Sequence, residues 1–191
     1  MKKQKPSGKR TSFQTEVRQA LAAEGFRRHM LWSNHSNRFD YFWEIRRHPL
    51  LSDALYWELL GETWTGTEAI EPNQKAWLRL FNARRGHRES LMNDAERAAL
   101  AAMPDTIEIW RGCGHPAGVH GMSWTVNREK AIWFSHYAGG PRRTGMNDKH
   151  SPLVVHGFCP KAEVLAYFEA RKESEIVVNP KHIKQLPPIA K

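Results

Sequence analysis

The chain is poor in sulfur and has no long apolar run. Two cysteines, Cys113 and Cys159, stand in 191 residues. That is too few for the disulfide framework of a small secreted domain, so the expected setting is reducing and intracellular, with both side chains as thiols. No stretch approaches the roughly 18 apolar residues of a membrane span, and no apolar segment of signal-peptide type follows the charged start MKKQKPSGKRT. The sequence therefore predicts a soluble, cytoplasmic protein without membrane association. Internal repeats are lacking, and so are paired Cys-x-x-Cys and helical His-x-x-x-His spacings. Cys113, His115, His120, His136, His156 and Cys159 thus predict no metal site.

Acidic residues are also in deficit, with 20 against 29 lysines and arginines and a formal net charge of +9. Such an excess admits nucleic acid as a partner, because cations that meet phosphates release counterions and gain affinity. Its distribution tempers that reading. Lys2, Lys3, Lys5, Lys9 and Arg10 fall within residues 1–11, a Pro/Gly/Ser-containing stretch that reads as a disordered basic tail. The pairs Arg27-Arg28, Arg46-Arg47, Arg84-Arg85 and Arg142-Arg143 are scattered, and each alone reads as a solvated helix face or loop.

Residues 12–104 carry helical spacings. Ser12 is placed to cap a helix bearing Phe13, Val17, Ala20 and Leu21, with Gly25 to stop it. A connector at Trp32 to Asn37 leads to a second helix, Phe39 to His48, ended by Pro49. Ser52 opens a third with Leu55, Trp57, Leu59 and Leu60 on a wide apolar face, and Gly61 to Thr67 reads as an irregular link. A fourth follows Pro72 and presents Ala76, Trp77, Leu80 and Phe81, while Asn93 and Glu96 form a capping box for a fifth before Pro104. Trp32, Trp43, Trp57, Trp64 and Trp77 fall at spacings that favour core packing over base-stacking platforms.

From Asp105 the texture turns to short β-branched runs. Ile107 to Trp110, Met122 to Thr125, Leu153 to Phe158, Val164 to Phe168 and Ser174 to Val178 are strand candidates. One helix, Arg128 to Tyr137, is capped by Asn127, and the polar loop Gly139 to Pro152 is expected to be mobile. The division expected is a tail at 1–11, a helical subdomain at 12–104 and a mixed domain at 105–191, an α+β fold.

Three short pieces in the last segment bear on chemistry: Arg111-Gly112 at a strand end, Ser123-Trp124-Thr125 in the next strand, and Glu173-Ser174-Glu175 opening a late one. A Glu-x-Glu pair arises about once by chance in a chain of this length, so spacing alone decides nothing. Order and context add weight, because period-two geometry sets Ser123 with Thr125, and Glu173 with Glu175, on single strand faces that can converge.

In that order the pieces resemble the arginine–serine–glutamate class of ADP-ribosyltransferases. Over about residues 106–180, IEIWRG, GMSWTVNREKAIWFS and VLAYFEARKESEIVVNP are similar to ADP-ribosyltransferase-like proteins of bacterial and prophage genomes. The resemblance implies a split β-sandwich with NAD, as co-substrate, in the cleft between its halves. By the same resemblance Arg111 would hold the NAD phosphates or ribose, Gly112 would let backbone approach the nicotinamide, and Ser123 would fix the catalytic carboxylate. Thr125 would support the cleft wall, Phe134 would stack on nicotinamide with Tyr137 a turn further on, and Glu175 would be catalytic. Glu173 would orient or deprotonate the acceptor. The turn Phe168 to Lys172 would recognise the target, with Arg171 and Lys172 favouring an acidic or phosphate-bearing one. Trp124 departs from the family's small or hydroxylated residue, and Thr125 replaces a serine, so Trp124 is expected to face away from the cleft.

The activity implied is ADP-ribosyl transfer to a macromolecule, either a protein arginine or a nucleic acid, RNA above all. Proteins of this look are often toxins or phage–host effectors, which implies a neutralising antitoxin or inhibitor as a companion. The alternatives are NAD hydrolysis and a non-catalytic nucleic-acid-binding module.

Overall fold

The first helix starts earlier and ends later than its sequence signals suggest. The computed structural model describes residues 9–32, 37–67, 70–137, 152–169 and 172–186, and in it α1 spans Lys9–Trp32 without a break at Gly25. Ser12 is therefore an interior residue and not the cap, and Lys9 to Thr11 are helical, not part of a disordered tail; the rest of the expected tail lies outside the described residues. A Cβ added at Gly25 meets nothing within 4 Å. That glycine costs the helix only its propensity, about 1 kcal/mol, too little to end it.

Helix α2 (Arg38–Ile45) follows, then α3 (Asp53–Gly66), whose Ser52 side chain accepts from the Leu55 amide at 3.2 Å. Helix α3 runs through the stretch that reads as an irregular link. The Thr63 and Thr65 hydroxyls bond back to the Leu59 and Gly61 carbonyls at 2.6 and 2.9 Å, and Trp64 is buried. Burial here overrides glycine and threonine propensities. Phe42, Trp57, Leu59, Leu60 and Trp64 form the core, and Trp57 Nε1 donates to the Gly86 carbonyl at 2.8 Å. These elements belong to one compact unit, Met1–Glu68 with Arg84–Leu91.

The second unit, Ala69–Ala83 with Met92–Lys191, takes in α4 (Gln74–Phe81) and α5 (Asp94–Ala102) as well as the strands. The compact division thus differs from the change of texture at Asp105, because both helices pack within the sheet-bearing unit. The Asn93–Glu96 capping box is formed in both directions, and α5 sets Ala99 and Leu100 against the sheet.

The strands are β1 (Thr106–Cys113), β2 (Ser123–Thr125), β3 (Leu153–Pro160), β4 (Val164–Phe168), β5 (Glu175–Val178) and β6 (Lys184–Gln185), with α6 (Arg128–Tyr137) between β2 and β3. They join one antiparallel sheet in the order β4-β5-β2-β1-β3-β6. The fold is mixed helix and antiparallel sheet, α+β. Strands β1 and β3 are paired along their whole length, whereas β1 and β2 are joined through the single pair Trp110↔Thr125. The sheet is thus two three-stranded groups meeting at a narrow seam. One face carries Ile107, Ile109, Trp124, Val155, Ile176 and Val178 and is covered in part by α5; α6 lies on the other. Most of the loop Gly139 to Pro152 and the connector after Trp32 lie outside the described residues. Among the described residues no helix is long and apolar enough to cross a membrane.

Candidate active site

Strand β2 is three residues long, yet it fixes most of the site. Trp124 points into the core at 2 % exposure, and its Nε1 donates to the Gly121 carbonyl at 2.9 Å. Period two then turns Ser123 and Thr125 to the opposite face. The register Thr125↔Glu175 and Ser123↔Val177 places Glu175 on that same face, diagonal to Ser123. Across this diagonal the Ser123 hydroxyl donates to Glu175 Oε1. A carboxylate so held has a fixed orientation, while Glu175 remains only partly buried.

The Glu-x-Glu segment is not one continuous strand. Lys172 and Ser174 have φ of 54° and 47°, the left-handed region, and they bracket Glu173. Strand β5 therefore begins at Glu175, and the strand alternation that would align Glu173 with it is broken at Ser174. Non-glycine residues in this conformation cost on the order of 1 kcal/mol each or more and persist where their surroundings enforce them. The surroundings are visible. Thr125 Oγ1 donates to the Glu173 carbonyl at 2.7 Å, the Val126 amide donates to the Ser174 carbonyl at 3.2 Å, and Ser174 Oγ bonds Glu169 Oε1 at 3.2 Å. Glu169 also accepts from the Tyr167 hydroxyl and donates its amide to Glu96 Oε1 at 3.1 Å. Burial first, and then the bond to Glu169, push the Tyr167 hydroxyl above its ordinary range.

Arg111 sits elsewhere. Alternation along β1 puts it on the side of Ile109, away from Trp110 and Gly112. Its Nε donates to the Gly118 carbonyl at 2.7 Å and its Nη1 to the Ser123 carbonyl at 2.6 Å, so the guanidinium clamps the segment leading into β2. Ser123 is the residue common to both groups: its carbonyl serves Arg111 and its hydroxyl serves Glu175. Gly112 is closed by packing. An added Cβ there would lie 2.5 Å from the Ser135 amide nitrogen and closer still to the Ala131 carbonyl oxygen of α6. On that side Gly112 is covered by α6.

Thr125 is 4 % exposed, and its hydroxyl is engaged twice, donating to Glu173 and accepting from the Asn127 amide at 3.0 Å. It acts as a strut between β2, the glutamate turn and the start of α6, where Asn127 accepts from the Lys130 amide at 3.1 Å. Phe134 is half-buried on α6, edge-on to Trp133. Tyr137 is 63 % exposed and stacks on Trp133 at 4.5 Å, on the helix side turned away from the buried Ala131 and Ser135. Phe168 lies in β4, buried, directly opposite Glu175, so it is an apolar neighbour of the carboxylate and not part of the recognition turn. Lys172 is exposed in that turn; Arg171 lies outside the described residues.

Glu96, Tyr167 and Glu169, which hold the glutamate turn, escape sequence reasoning, as does a row running across the sheet. The pairs Glu175↔Thr125, Thr125↔Trp110 and Trp110↔His156 put four strands' side chains in line on one face. At about 4.8 Å per strand, Trp110 stands roughly 10 Å from Glu175. His156 stacks on Trp110 at 3.9 Å, with Nε2 2.8 Å from Glu108 Oε1 and the Arg128 guanidinium 5.6 Å from the Trp110 ring centre. The alternation of β1 and β3 was the available signal; the pairing register was not. Among the described residues no group of three or more His, Cys, Asp or Glu is placed to hold a metal ion.

Compared with protein-family models, curated proteins and solved structures, the chain matches none of them.

Proposed function

We propose that the sheet-bearing unit is an NAD-dependent ADP-ribosyltransferase with Glu175 as its catalytic carboxylate. The observation that carries this reading is the Ser123–Glu175 hydrogen bond across β2 and β5. It joins the second and third pieces of the Arg-Gly, Ser-x-Thr, Glu-x-Glu order through side chains. The narrow seam between the two three-stranded groups supports an ADP-ribosyltransferase-like split sheet.

In this mechanism Glu175 faces the ribose of NAD. As the bond between ribose C1′ and the nicotinamide nitrogen breaks, its electron pair neutralises the pyridinium, and positive charge develops on the sugar. A carboxylate already oriented by Ser123 stabilises that charge without reorganising. The acceptor nucleophile then bonds C1′ and gives up its proton to a base, a role the Glu-x-Glu resemblance gives to Glu173. Arg111 acts through the Ser123 backbone, holding β2 and so the serine in place. The acceptor is a macromolecule, nucleic acid or a protein arginine, and toxins and phage–host effectors, with a neutralising partner, are the setting this chemistry fits.

Purified protein, labelled NAD and a cell lysate test the reading, with Glu175→Gln alongside. Transfer to an RNase-sensitive or a protease-sensitive fraction, reduced at least 10²-fold by Glu175→Gln, is the expected result. Nicotinamide release without a labelled macromolecule would make the protein a hydrolase. Absence of NAD turnover in every fraction would overturn the reading and leave a binding module.

A further inference from the structure

Two arginine pairs nearly forty residues apart in sequence come together in the first unit. Arg46 and Arg47 close α2, and Arg84, Arg85 and Arg88 lie on the segment that returns to α3. Arg85 Nη2 donates to the Arg46 carbonyl at 2.8 Å, which fixes the two segments to each other. Arg47 is close enough to Arg46 to depress its basicity, after burial has done so first, and burial likewise lowers Arg88.

Three of the five guanidiniums are laid over aromatic rings: Arg46 over Trp43 at 3.7 Å, Arg85 over Tyr56 at 4.5 Å and Arg88 over Trp57 at 4.7 Å. Asp53 bonds Arg85 Nη1 at 2.8 Å and tethers the cluster. Arg46 and Arg47 repel each other, and partial burial over the rings adds a desolvation cost. A protein that keeps such an arrangement has a use for concentrated positive charge.

We infer that this aromatic-backed arginine cluster is a binding surface for the phosphodiester backbone of a nucleic acid. Guanidinium forks match phosphate oxygens in pairs, and a guanidinium already seated over a ring loses little freedom when it binds. Arginine planes also stack on unpaired bases, which an acidic protein chain does not offer. The inference needs only the first unit and stands or falls separately from NAD turnover by the second.

The test is fluorescence anisotropy of labelled single-stranded RNA and duplex DNA against the full chain over a series of salt concentrations. Arg47→Gln/Arg84→Gln changes two exposed side chains and should leave the thermal midpoint unmoved; adding Arg88→Gln completes the set. Each lost phosphate contact lowers the slope of log affinity against log salt by about 0.7 to 0.9, so the triple variant should lose about two units of slope and at least tenfold in affinity. The three Arg→Lys exchanges should keep the slope. Unchanged binding in the triple variant, loss of binding on deleting residues 1–8 alone, competition by polyglutamate equal to that by RNA, or no binding of either probe would each overturn the assignment.

Discussion

Replacing Gly112 by alanine separates two explanations for that glycine. Among the described residues no glycine has a positive φ, so the substitution adds a methyl group without straining the backbone. The methyl would overlap the Ala131 carbonyl oxygen and lie 2.5 Å from the Ser135 nitrogen, both backbone atoms of α6. Backbone cannot rotate aside as a side chain can, so α6 must lift from β1. Ala131 and Ser135 are 0 % and 2 % exposed, and the lift opens that contact. Overpacking of this kind costs about 1–3 kcal/mol, and backbone atoms on the far side put it at the upper end. At roughly 4 °C or more per kcal/mol for a unit of this size, the melting midpoint should fall by about 10 °C. Calorimetry gives the midpoint, and hydrogen exchange shows whether α6 amides lose protection. Gly25→Ala, with no neighbour within 4 Å inside α1, serves as the opposite control and should stabilise by up to about 1 kcal/mol. If Gly112→Ala melts like the parent yet abolishes NAD binding, the glycine serves the nicotinamide and the packing explanation is refuted.

Other consequences are as direct. Thr125→Val keeps shape but removes the hydroxyl that Glu173 and Asn127 use; urea unfolding should show a loss of about 1–3 kcal/mol, and parent-like stability would mean the strut carries no load. Lys172, at φ 54° with an exposed side chain, should accept glycine with no loss of stability and valine only with a loss of about 1–2 kcal/mol; equal melting of the two variants would deny the left-handed backbone there. Burial holds the Cys159 thiol up at about 11 and the Tyr56 hydroxyl at about 12. Both folded values lie above the unfolded ones, so the stability from each is complete below the unfolded value and is lost as pH rises through the folded one. Cys159 governs roughly pH 9–11 and Tyr56 roughly pH 10–12, each worth about 2–3 kcal/mol. Urea midpoints at pH 8 and pH 11 should differ accordingly, and Cys159→Ala should remove the earlier part of the fall.

Some of this was legible in the amino-acid order, and the division has physical causes. Ser52, Asn93 with Glu96, and Asn127 cap through contacts three residues long, so sequence alone exposes them. Ser12 and Gly25 misled because they are weak local preferences, overcome where helical spacing continues on both sides. In β1 the alternation Ile107, Ile109, Arg111 already carried the side of Arg111. The left-handed turn at Ser174 is invisible in sequence because no glycine marks it, and the arginine cluster depends on contacts more than thirty residues apart.

Strand β2 stands in an exposed position mechanically. One pair, Trp110↔Thr125, ties it to β1, whereas β5 is tied to it by three. The group bearing Glu175 is therefore free to shift against the group bearing Trp110 and His156 unless something else spans the seam. Arg111 does so, reaching from β1 to the Ser123 carbonyl, and α6 does so too, packing on Gly112 while Thr125 bonds the Asn127 amide at its start. In this arrangement the arginine of the Arg-Gly piece bears on the glutamate without touching it. By holding Ser123 it sets where the serine hydroxyl stands, and through that hydroxyl, which way the Glu175 carboxylate points.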